Sequence, residues 1–173
     1  RYVERNLVAR FVQIELMVGL LGGFSAAALF FIFVWFTTPF QVALYLAVFG
    51  IGVLVGLEIP LIMRILKRDL SFKDVVSQVL TFDYLGALAV SILFPLLLVP
   101  HLGLVRSGLL FGLLNVLVAL WALWIFREQL RNAFWLKTQA FVSLGVLAIG
   151  FAAAGQFTSL AEAHLYADEI VYN

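Results

Sequence analysis

No cysteine occurs among the 173 residues, an absence compatible with any compartment. Histidine is almost as scarce. His101 and His164 stand far apart and neither HxxxH nor HExxH occurs, so no metal site is expected, since one needs three or four ligands. Nor is there a glycine-rich phosphate loop or a nucleophile flanked by a plausible base, so no catalytic residue is expected here. Charge is short as well, at 12% of residues against 64% hydrophobic ones, with 17 phenylalanines. A soluble domain of this size exposes most of its surface to water and has nowhere to hide so much apolar side chain. With so little charge, most of it at one interface, the chain is not a reader of nucleic acid.

What is present is hydrophobic length. Five windows, about 14–36, 41–63, 82–98, 104–126 and 138–158, are each long enough as helices to cross or nearly cross a hydrocarbon layer of ~30 Å. Lipid leaves no backbone group unpaired, so these windows predict helices and not strands. Ten of the eleven basic residues fall on one side of the resulting topology: Arg1, Arg5, Arg10, Arg64, Lys67, Arg68, Lys73, Arg127, Arg131 and Lys137. Arg106 alone lies by the other side, and the positive-inside rule makes the basic side cytoplasmic.

Three glycine pairs, Gly19 with Gly23, Gly52 with Gly56 and Gly108 with Gly112, repeat the four-residue spacing that lets membrane helices approach closely. They predict a compact bundle, although small residues are common in membrane helices in any case. Thr37, Thr38 and Pro39 predict a tight external turn, with Pro39 opening the second helix. Ser71 and Asp74 form a capping box ahead of Phe72, Val75, Val76 and Val79. Residues 71–80 thus read either as an amphipathic helix on the inner surface or as an extension of the third span. Pro95 and Pro100 predict a kink or an early end to that span. Asn115 reads as an interhelical hydrogen-bonding residue and His101 as an interfacial loop residue. The fifth window is the least apolar, and half-buried or re-entrant alternatives stay open for it.

Glu58, in GLEIPLIMR, needs explaining. It lies about nine residues, or ~14 Å, inside the basic cluster that follows the second span. An unpaired carboxylate there costs several kcal/mol or holds a proton, so it should face the bundle or a wet cavity. Pro60 cannot donate to the carbonyl of Gly56, which predicts a bend and a polar notch beside Glu58. Glu15 and Asp83 fall toward the same cytoplasmic half, with Arg64 and Arg10 as the nearest basic residues. The set reads either as an ion-pair network fixing helix register or as an acidic cavity handling a cation.

At GLEIPLIMRILKRD and FDYLGALAVSILFPLLLVPHLGLVRSGLLFGLLN the chain resembles the integral-membrane portion of bacterial spermidine synthase-like proteins, polyamine aminopropyltransferases with transmembrane helices. RFVQIELMVGLLGGFSA and AEAHLYADEIVYN extend the resemblance over essentially the whole chain. It implies a bacterial inner-membrane, multi-pass location and a parent enzyme with a C-terminal catalytic domain. That enzyme moves the aminopropyl group of decarboxylated S-adenosylmethionine onto putrescine, giving spermidine and methylthioadenosine. It also implies that Glu15, Glu58 and Asp83 meet putrescine or spermidine. None of the transferase's cofactor or catalytic motifs is present here, so the fragment alone is expected to lack that activity.

The expectation is an all-α, polytopic membrane helical bundle of about five transmembrane helices plus one short interfacial helix. Residues 1–160 form the membrane domain and 161–173 begin a linker to a further soluble domain, the chain reading as a piece of a longer protein. The partners expected are the lipid bilayer, that catalytic domain and a second copy. A polyamine or cation transporter module and a structural oligomerisation domain are the alternatives. Five crossings bring the segment after Leu160 out opposite the basic loops, at odds with a cytoplasmic catalytic domain.

Overall fold

The structure, a computed structural model, describes residues 2–35, 39–67, 71–130 and 133–165. Among these every regular element is a helix: α1 Tyr2–Trp35, α2 Phe40–Leu66, α3 Phe72–Leu93, α4 Val99–Ile125 and α5 Phe134–Leu165, with a π-helical turn at Phe94–Leu98 between α3 and α4. Four apolar helical runs are long enough to cross a membrane: Leu7–Trp35, Phe40–Leu66, Lys73–Ile125 and Phe134–Gln156.

The third run, at 53 residues, is far longer than any bilayer requires, and it does not stay straight. Gly103 has φ 76° and ψ 171°, a conformation essentially reserved for glycine, and the helix folds back there. The rings of Phe94 and Phe111, on either side of the break, stand 6.2 Å apart. A straight helix would separate those positions by roughly 25 Å. His101 stiffens the approach: its Nδ1 lies 2.8 Å from the carbonyl oxygen of Leu97, which can only accept, so Nδ1 carries the proton.

Residues 71–80 are not separated from the third span. Ser71 caps α3 in extended conformation, its hydroxyl accepting the Asp74 N–H at 3.3 Å, and the helix then runs without interruption to Leu93. The fifth window lies within one continuous helix. Residues 161–165 are its last turn, and the remainder of the expected linker lies outside the described residues.

The core lies where α1, α4 and α5 meet. Gly19 backs onto Gly112 and Val116, and Gly23 onto Gly112 and Gly108, so α1 and α4 run antiparallel with their backbones nearly touching. A Cβ at Gly112 would stand 2.5 Å from the carbonyl oxygen of Gly19. Leu147 of α5 fills the space over Gly23 and Gly112, and Gly150 meets Phe24 and Leu109, which sets α5 antiparallel to α4 and parallel to α1. The buried positions of α5, Leu136, Ala140, Ser143, Leu147, Gly150 and Ala154, recur every three or four residues. Most are small, which is why the most tightly packed stripe belongs to the least apolar window. Val8, Phe11 and Val12 carry the α1 side of the core below the expected start of the first span.

α2 packs antiparallel on the other side of α1, with Phe33 and Phe40 edge to face at 5.3 Å. None of its residues is buried. α3 touches the bundle least, meeting only α2 and the π turn.

Candidate functional site: a buried carboxyl pair between two helices

The antiparallel seam of α1 and α2 brings Glu15 level with Glu58. Glu15 is 5% exposed, and the charge of Glu58 bears directly on it. Oε1 of Glu58 is buried and has no hydrogen-bond partner among the described residues. Two carboxyl groups so placed repel when both are charged and attract a proton or a cation. Burial raises the stakes, because a carboxylate within the hydrocarbon costs about 2.5–3.5 kcal/mol even by the mildest measure.

The other residues singled out in the sequence lie elsewhere. Arg10 and Arg64 are exposed, and neither supplies a hydrogen bond to the buried Oε1. Asp83 stands exposed on α3, a helix that meets α2 and the π turn but not α1. Gly56 and Pro60 are also exposed, and each is two residues from Glu58 and so about 200° round the helix from it. The carbonyl that Pro60 leaves unserved and the carboxyl of Glu58 therefore belong to different sides of α2, which continues unbroken through the proline. Of the glycines, Gly19, Gly23, Gly108 and Gly112 form the α1–α4 crossing, whereas Gly52 and Gly56 look onto open space.

Arg106, the lone cation of the opposite end, lays its guanidinium along α5, where a Cβ on Gly155 would come within 3.1 Å of it. Spacing alone does not reveal that contact. Farther out on the α1–α2 seam an apolar groove of ≈ 280 Å³ is lined by residues such as Leu20, Phe24, Ala47 and Gly50. Ser25 there has already given its hydroxyl to the Gly22 carbonyl at 2.7 Å, so the groove suits hydrocarbon and not a polar ligand. Among the described residues no group of three or more His, Cys, Asp or Glu side chains is placed to hold a metal ion.

Long apolar helices around a glycine-packed crossing, with one inward-facing acid pair, define a multi-pass membrane domain. More particularly, its sequence matches the N-terminal portion of bacterial polyamine aminopropyltransferases. It is 53% identical over 99% of its length to polyamine aminopropyltransferase 2 of Ralstonia nicotianae, covering 35% of that protein. Polyamine aminopropyltransferase 1 of the same organism is likewise 53% identical over 99% of the chain, with 34% of that protein covered. The polyamine aminopropyltransferase of Leptospira interrogans is 47% identical over 99% of the chain, again with 34% covered. The chain thus spans about a third of the length of these curated relatives. No family model matches it, and no solved structure does.

Proposed function

We propose that this chain is the membrane domain of a polyamine aminopropyltransferase, a spermidine synthase in which it anchors a catalytic domain and handles the polyamine. The similarity of 53% over 99% of the chain carries the family part of this reading. In the whole protein the reaction would join putrescine and the aminopropyl group of decarboxylated S-adenosylmethionine to give spermidine and methylthioadenosine. The present helices would contribute location and substrate handling and not bond chemistry.

Residues 1–160 would cross the membrane five times, with the reversal at Gly103 separating the third crossing from the fourth. Support comes from the helix directions: α2 and α4 both run against α1, which fits a connection that returns across the layer, and α5 runs with α1. The first three turns of α3 would lie at the inner interface and 161–173 would lead away from the bundle. Basic loops would be cytoplasmic, which sends the end of α5 to the external face.

The handling site would be Glu15 with Glu58. Glu58 Oε1, buried beside a second carboxyl and without a partner among the described residues, is the observation that favours it: a primary ammonium supplies both a donor and a positive charge. Calorimetry of spermidine and putrescine on the purified domain tests this. Glu58→Gln should weaken binding about tenfold or more, the loss of a charge-assisted hydrogen bond at 1.5–3 kcal/mol. Equal affinity of wild type and variant, or no binding by either, would refute polyamine handling and leave the anchoring role standing.

A further inference from the structure

We infer that α3, held at its start against α2, swings its outer length between the splayed position seen here and one docked along the Gly52–Gly56 face of α2, the π turn 94–98 flexing as it closes. α3 begins in contact and then departs. Val75 is the only buried residue among its described side chains, Val76, Val79 and Leu80 are half-buried, and every residue from 81 to 93 is exposed. Thirteen consecutive exposed positions cover all sides of a helix, so no side of that length is buried against the bundle. The π turn after it does return to the bundle through Phe94 and Phe111. Pro95, lacking an N–H, lies in that turn, and π turns and prolines are where helices bend.

The face that α3 would meet continues a contact already made. On α2, Gly52, Gly56, Ile59, Met63 and Leu66 follow one another at spacings of four and three, one stripe turned well away from the α1-facing Glu58. Its inner members, Ile59, Met63 and Leu66, are half-buried where α3 begins, whereas Gly52 and Gly56 have nothing within 4 Å of an added Cβ. On α3, Phe82 and Gly86 share the face of the buried Val75, seven and eleven residues on, within about 20° of it. α2 ends at Leu66 and α3 begins at Phe72, so a symmetric antiparallel pairing of the two sets Gly86 opposite Gly52 and Phe82 opposite Gly56. Glycine meeting glycine is the geometry that lets two membrane helices close. Docking would also take Asp83, otherwise exposed along an apolar helix, to the flank of a helix pair.

The chain has no cysteine, so introduced pairs are the only thiols. In lipid nanodiscs, Gly52→Cys with Gly86→Cys, and Gly56→Cys with Phe82→Cys, should oxidise to a disulfide within one chain. Gly52→Cys with Leu88→Cys, with residue 88 on the far side of α3, should form at least tenfold less. Spin labels at Val53 and Leu85, exposed and off both faces, ask the same question without a side chain added to the glycine face: a short-distance population should accompany the long one. Disulfides between chains, equal oxidation of the far-side pair, or a single long label distance in the folded protein would overturn the swing. Disulfides between chains would instead assign the glycine face to a second copy.

Discussion

Gly112→Ala adds one methyl group where two backbones cross. Its Cβ would lie 2.5 Å from the Gly19 carbonyl oxygen, 2.9 Å from the Gly23 Cα and 3.1 Å from Leu147 Cδ2, and two of these three neighbours are backbone that cannot rotate away. Ordinary contacts of this kind are about 3.5–4 Å, so α1 and α4 have to part by roughly 1 Å. A gap of that size forfeits between a quarter and a half of each neighbouring contact. In lipid, packing is much of what joins helices, so the whole seam from Val12 to Leu123 feels the separation. Overpacking costs up to about 3 kcal/mol, and the better helix propensity of alanine returns ~1, leaving a net loss of about 2 kcal/mol. For a chain of this size that lowers Tm by roughly 4–8 °C, measurable by circular dichroism in mild detergent. Gly145→Ala is the comparison, because a Cβ there meets nothing within 4 Å and should be neutral or slightly stabilising. If Gly112→Ala unfolds at the temperature of Gly145→Ala, the crossing is not backbone against backbone and the reasoning fails.

Gly103→Ala places a Cβ at φ 76°, ψ 171°, and should cost on the order of 1–3 kcal/mol in the same melt. Gly145→Ala, in ordinary helix with open surroundings, should not, so equal losses in the two would remove backbone strain as the cause. Leu165→Cys, at the end of α5, should react with a membrane-impermeant maleimide added outside intact cells. Protection until the cells are opened would mean that α5 does not cross or that the basic ends face outward.

Much of this was legible in composition. Runs of apolar residues located the helices because lipid imposes one length and one hydrogen-bonding solution. Gly19 with Gly23 and Gly108 with Gly112 pointed to close packing, and Glu15 and Glu58 could be placed at similar depth by counting from the basic residues. Partnership was not legible. Gly52 with Gly56 has the same spacing as Gly19 with Gly23, because spacing records that a helix can be approached and not whether another helix arrives. The depth of Asp83 followed from its number, but its exposure depends on the course of α3 relative to the whole bundle. Gly56, Pro60 and Glu58 looked like one notch in linear order, yet two residues along a helix separate rather than join. The N-terminal extension of α1 was hidden because Arg5 and Arg10 lower the local hydropathy while Val8 and Val12, on another face, join the core.

The stripe on α5 changes which part of the protein is under the tightest sequence control. Ala140, Ser143, Gly150 and Ala154 fit because they are small, so a leucine, the commonest currency of membrane helices, is excluded there by volume. Exposed α3, by contrast, asks little of its outer side chains beyond solubility in hydrocarbon. Greasiness and information run in opposite directions along this chain: the helix that a hydropathy plot ranks lowest tolerates the fewest alternatives.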